Sequence, residues 1–134
     1  MHPPTLTQVL VSKLFSHWNG NQGFVEHCRQ VQDFYRLQCD KTIESCEKHL
    51  KDIARWEKPK AGMFLWLECL KVKNTKQIIE SKARANNVLL VPGQCFMPDD
   101  TISNFCRISY SQESPERIDM AIERLAKLLK EAEN

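Results

Sequence analysis

Charge of a single sign, long apolar runs and glycine-rich loops are all missing from this chain, and each absence closes a class of function. The net charge is +2, with acidic and basic residues interleaved along all 134 positions, so no basic block exists to grip nucleic acid or an anionic membrane. No apolar run approaches the ~20 residues that a bilayer-crossing helix needs. The opening residues, Met1-His2-Pro3-Pro4-Thr5, have neither the apolar stretch of a signal peptide nor an Arg-rich transit pattern. With only 4 glycines, neither common phosphate-binding loop can be traced, and nucleotide binding loses its local support. There is no H-E-x-x-H motif and no Ser–His–Asp order. His17, His27 and His49 fall on predicted helices and His2 at the terminus, where surface or capping roles are expected.

Cysteine is present but not in a metal pattern. The six lie at 28, 39, 46, 69, 95 and 106, and no two have the C-x-x-C spacing of zinc sites. Cys28, Cys39 and Cys46 are spaced near whole helical turns, on a stripe with Val25, Val31, Tyr35, Ile43 and Leu50. They are expected to be small core hydrophobes in a reducing compartment, the cytoplasm or the mitochondrial matrix.

The length suits one compact domain with its own core. Residues 5–18 show helical apolar spacing at Leu6, Val9, Leu10, Leu14 and Phe15, ending in the break Asn19-Gly20-Asn21-Gln22-Gly23. Residues 24–50 lack Pro and Gly and predict one long helix. Met63-Phe64-Leu65-Trp66-Leu67 is apolar at every position, as in a central strand covered on both sides. Thr75 is expected to cap a short helix through Ala85, with Asn86-Asn87 as its stop. Val88-Leu89-Leu90-Val91 predicts a second strand, and the loop after it either is a plain turn or offers Phe96 and Met97 as pocket wall. Ser114-Pro115-Glu116 is a helix start, followed by apolar Met120, Ile122, Leu125, Leu128 and Leu129. The order α-α-β-α-β-β-α describes an α+β unit, a small three- to four-stranded sheet packed by helices including one long one.

Arg107 stands out within the strand-like run Asn104-Phe105-Cys106-Arg107-Ile108-Ser109-Tyr110. A guanidinium cannot shed its charge, so burying it without an anion is costly. Strand alternation puts Arg107 on one face with Phe105 and Ser109, and Cys106, Ile108 and Tyr110 on the other. The two-pronged donor fork suits a carboxylate, which points to binding of a small carboxylic acid; the alternative is an internal pair with Asp or Glu. A second motif, Ser45-Cys46-Glu47-Lys48, has the S-x-x-K spacing of some serine nucleophiles, but it falls mid-helix off the apolar stripe, where an ordinary solvated Lys is expected.

Taken together, Ala61-Gly62-Met63-Phe64-Leu65-Trp66, Val88-Leu89-Leu90-Val91-Pro92-Gly93, Phe105-Cys106-Arg107-Ile108-Ser109-Tyr110 and Ser114-Pro115-Glu116 resemble, in letters, order and spacing, the C-terminal part of fold-type I (class I/II) pyridoxal-phosphate aminotransferases. The Ala-Gly-Met-Phe-Leu-Trp strand and the His2-Pro3-Pro4-Thr5 segment resemble the kynurenine/2-aminoadipate branch of that family. The resemblance covers essentially all of residues 1–134, as the small C-terminal domain with its leading helices. It implies that Arg107 grips the substrate α-carboxylate, that Phe64 lines the substrate pocket, and that residues 2–5 lie near a homodimer interface.

It implies further that the complete enzyme uses pyridoxal 5'-phosphate to move an amino group from an amino acid such as 2-aminoadipate or kynurenine to a 2-oxo acid such as 2-oxoglutarate. The lysine that anchors the cofactor, its phosphate loop and the Asp partner of its ring nitrogen have no counterpart here, and by resemblance would precede Met1. This chain alone is therefore expected to hold no cofactor and to be inactive, since a carboxylate grip without the cofactor positions nothing for reaction. The alternative is a non-catalytic binding or dimerisation module, with Leu6, Val9 and Leu10 of the first helix as its interface.

Overall fold

A computed structural model describes residues 2–132. In chain order they form α1 (Thr5–His17), α2 (Asn21–His49), β1 (Ala54–Trp56), β2 (Phe64–Cys69), α3 (Thr75–Ile78), β3 (Val91–Pro92), β4 (Phe105–Ser109) and α4 (Pro115–Glu131). Length suggested one compact unit, but the chain divides into two, at Arg36 and Leu37.

In the first unit α1 turns into α2 over residues 18–20, where Asn19 and Gly20 take positive φ angles of 58° and 75°. The predicted break is therefore shorter than expected, because Asn21, Gln22 and Gly23 are already helical. Gly23 is required there for space: a Cβ would collide with the Trp18 carbonyl oxygen. Phe15, Trp18 and Phe24 form an aromatic knot, with ring centroids 5.3 to 6.4 Å apart, and Trp18 stacks on His27 at 4.8 Å. No residue of α1 is buried. The stripe assigned to the long helix is exposed here as well, at Val25, Val31 and Cys28. The core reading of Cys28 is thus corrected: periodicity locates a stripe, and only neighbouring elements bury it.

In the second unit the sheet order is β1-β2-β4-β3, antiparallel throughout. The edge strand β1 was not anticipated; three residues are too few for a period to show. Leu65, Leu67, Cys69, Cys106, Ile108 and Tyr110 form the packed face. The core they share holds Cys46 and Leu50 of the segment after Leu37, and Ile118, Ile122, Leu125, Leu128 and Leu129 of α4. Burial pushes the Cys46 thiol up to about 12, which makes it an inert core residue as expected; Cys39, also expected in the core, is buried, and so are Cys69 and Cys106. Met120, expected on the apolar side of α4, is exposed, and Ile118 takes that role.

Further differences are local. Asn74 rather than Thr75 caps α3, its side chain accepting from the Gln77 amide. The freed Thr75 hydroxyl lies 2.6 Å from the Phe105 carbonyl and 3.1 Å from that of Ser103, so α3 is tied to the start of β4. α3 continues as a π turn (Ile79–Ala83) and a 3-10 turn (Arg84–Asn86), and stops at Asn87, whose φ of 57° is left-handed as expected. The strand predicted over residues 88–91 shrinks to Val91–Pro92, since Leu89 is 82% exposed and pairs with nothing in the sheet. Ser114 caps α4 and Pro115 opens it, as expected.

Candidate functional site

β2 was expected to be covered on both sides, and it is covered on one. Phe64 and Trp66 remain 41% and 39% exposed while Leu65 and Leu67 are fully buried. Apolar side chains on both faces of a strand record that both faces meet apolar surroundings, and residues 2–132 supply those surroundings on one face only. The open face carries Phe64, Trp66 and Glu68 from β2 and Phe105, Arg107 and Ser109 from β4. In register, Arg107 stands between Trp66 on one side and Val91 on the other, and Ser109 faces Phe64.

Around Arg107 the partners are rings. Its Cζ lies 4.1 Å from the centroid of Phe64 and 5.0 Å from that of Phe96. Such contacts between a cation and an aromatic face are each worth roughly 0.5–1 kcal/mol when exposed. Among the described residues no carboxylate pairs with Arg107, and its Nε is buried without a hydrogen-bond acceptor. The alternative of an internal Arg–Asp or Arg–Glu pair is thereby removed for those residues. A fixed cation with open donors beside apolar rings can take up a carboxylate with an apolar substituent.

Phe96 arrives from the turn after β3. That turn, Gly93–Phe96, is pressed against β4, and a Cβ on Gly93 would lie 2.5 Å from Ser103 Oγ and 2.7 Å from the Phe105 carbonyl oxygen. Gln94 Nε2 donates to the Asp100 carbonyl at 2.7 Å and closes the loop that follows. The Phe96 ring meets Trp66 edge-on at 5.2 Å, and Trp66 lies parallel to Phe105 at 5.6 Å. Among the described residues, Met97, the other expected wall residue, enters none of these ring contacts. Beyond Trp66 and Phe105 the face continues into a concavity of about 700 Å³, bounded also by Arg55, Trp56, Glu57 and Glu68. Sequence reasoning missed this concavity, because it depends on the unanticipated β1.

The S-x-x-K match is corrected in its surroundings. Ser45 is buried, and its Oγ donates to Asp119 Oδ1 at 2.7 Å. His49 Nε2 lies 3.0 Å from the same oxygen, and Lys48 Nζ lies 3.2 Å from Oδ2. His49, expected at the surface or as a cap, is instead half-buried in this cluster. Three donors on one carboxylate, Ser45 foremost, hold Asp119 below its ordinary value. The carboxylate sits in the middle of these side chains, and the cluster fastens the end of α2 to α4.

Pyridoxal phosphate would need an amine to anchor it and a cradle for its phosphate. Phe64, Trp66, Glu68, Phe96, Phe105, Arg107 and Ser109 include no lysine and only one cation. This face fits a carboxylate and does not fit the cofactor.

A small antiparallel sheet with one face packed on helices is a fold that this chain shares with amino-group-transferring enzymes. The α-aminoadipate aminotransferase of Thermus thermophilus, solved with N-(5'-phosphopyridoxyl)-L-leucine, superposes with a TM-score of 0.83 at 30% identity, over 97% of this chain and 32% of that one. The Pyrococcus horikoshii kynurenine aminotransferase gives 0.78 at 28% identity, over 85% of this chain and 28% of that one. In sequence, the mitochondrial kynurenine/alpha-aminoadipate aminotransferase of Rattus norvegicus is 41% identical over 132 residues, 98% of this chain and 31% of the relative. No family model matches. The chain is homologous to the C-terminal part of kynurenine/aminoadipate aminotransferases, and its structural neighbours are pyridoxal-phosphate-dependent aminotransferases. It spans about 31% of the length of the curated relatives it matches.

Proposed function

We propose that this chain is the substrate-carboxylate-binding portion of a transaminase, the small domain with its leading helices, and that Arg107 and Phe64 are its substrate-binding residues. The observation that carries this is Arg107: a cation held between rings, with a buried donor lacking an acceptor and no carboxylate partner among the described residues. Similarity to kynurenine/alpha-aminoadipate aminotransferases supports a 2-aminoadipate- or kynurenine-like amino donor and a 2-oxo acid such as 2-oxoglutarate as acceptor. In the complete enzyme pyridoxal phosphate supplies the electron sink for amino transfer, held by residues outside this chain. Arg107 binds and orients the carboxylate; Phe64 and Phe96 exclude water from one side of it. The complete enzyme is a homodimer, with residues 2–5 near the interface, in the cytoplasm or mitochondrial matrix. No helix among the described residues is long and apolar enough to cross a membrane.

The test is a 2-oxoglutarate titration of the purified chain and of Arg107→Lys, followed by NMR, together with a turnover assay containing pyridoxal phosphate, 2-aminoadipate and 2-oxoglutarate. Millimolar binding that is lost in the Lys variant, with no turnover, is expected. Equal binding by both chains would remove Arg107 from the site, and turnover would show that the chain carries its own cofactor site.

A second reading has its own support in α1, where Leu6 is 70%, Leu10 61% and Val9 48% exposed. Such a row suits a stand-alone dimerisation module. Light scattering separates the two: dimers that Leu6→Glu and Leu10→Glu dissolve favour the module, and a clean monomer at high concentration opposes it.

A further inference from the structure

Among the described residues the Arg107 guanidinium has no anion to fix its orientation, so its surroundings there hold it by other means. Its Cζ sits over the face of Phe64 at 4.1 Å and of Phe96 at 5.0 Å. Phe64 is anchored by the register of β2 against β4. Phe96 lies outside the sheet, yet it is placed just as firmly: Gly93 lets its turn press onto Ser103 and Phe105, and Trp66 receives the Phe96 ring edge-on at 5.2 Å. Trp66 is in turn backed by the parallel ring of Phe105 at 5.6 Å. The chain of contacts therefore runs from the body of the sheet, through Phe105, Trp66 and Phe96, to the guanidinium.

Resting on the assignment of Arg107 as the carboxylate-binding group, we propose that Phe96 is a positioning residue that acts through Arg107. Its ring face, by attraction to the cation, restricts the guanidinium before ligand arrives, so the carboxylate meets a preset fork. A planar cation held by rings keeps its charge undiminished for a ligand, which an internal carboxylate would not allow. Ring electron density is then the working quantity. A Phe96 that served as inert wall would depend on shape alone.

The experiment uses the full chain labelled with 15N at arginine. Rotation of the Arg107 guanidinium about its Nε–Cζ bond is measured by NMR without ligand, and 2-oxoglutarate is then titrated. Wild type is compared with Phe96→Leu, Phe96→Tyr and a chain carrying pentafluorophenylalanine at 96, which keeps the ring's outline while reversing its quadrupole. Faster rotation and roughly two- to fivefold weaker 2-oxoglutarate binding are expected for the Leu and fluorinated chains, with Tyr matching wild type. Unchanged rotation in the fluorinated chain would overturn the proposal, even where Phe96→Leu fails to fold. Arg107→Lys keeps the two readings apart: if it binds 2-oxoglutarate like wild type, the clamp assignment fails, while guanidinium rotation still judges Phe96.

Discussion

The two faces of one sheet behave as different materials although the same strands build both. On one face Leu65 and Leu67 are fully buried and Cys69, Cys106, Ile108 and Tyr110 are at most 5% exposed. On the other, Phe64 and Trp66 stay about two-fifths exposed and Arg107 has rings for partners. Side chains alternate along a strand, so a single run of residues can hold a core together and present a ligand surface without either task constraining the other. The packed face is governed by volume and desolvation; the open face is governed by orientation of charge.

Substitutions on the two faces should therefore fail in different assays. Leu67→Ala, on the packed face, should cost about 3 kcal/mol in urea unfolding, because it leaves a cavity where no atom is solvent-exposed; a loss under about 1 kcal/mol would mean that this face is loosely packed. Arg107→Lys, on the open face, should cost about 2 kcal/mol of carboxylate affinity while leaving the urea midpoint nearly unchanged, since a bidentate contact becomes a point charge. A large stability loss would instead mean that Arg107 is structural.

Asp119→Asn probes the helix cluster behind the packed face and should cost roughly 1 kcal/mol or less, its side chain being 37% exposed and screened. The sign of its pH dependence follows from the depressed folded value: the stabilisation is present above the unfolded value near 3.8 and fades as pH falls through the lower folded value. The wild-type advantage over Asn should be full at pH 7 and shrink in acid; an advantage that grew in acid would contradict the assignment. Phe64→Leu should change stability little, by under about 1 kcal/mol, because the ring is already 41% exposed, and should be felt mainly in 2-oxoglutarate affinity.

The sites that sequence reasoning reached share a property: their chemistry is local. The Ser114-Pro115-Glu116 start of α4 and the left-handed stop at Asn87 depend on residues within a turn of each other. The sites it missed are made by distant chain segments. Ser45 and Asp119 are 74 residues apart and Thr75 and Phe105 are 30 apart, so no periodic pattern links either pair. The buried half of α2 and its exposed half share one apolar stripe, and nothing in that stripe marks where burial begins.

The sequence by itself determined that Arg107 lies on a strand, on the face of Phe105 and Ser109 and opposite Cys106, Ile108 and Tyr110, because side-chain alternation is a property of the extended backbone. Tertiary structure alone decided that no carboxylate among the described residues meets that arginine, that Phe64 and Phe96 enclose it, and that one side of the sheet stays open. Those are outcomes of long-range packing, in which the neighbours of a side chain are set by where remote segments come to rest.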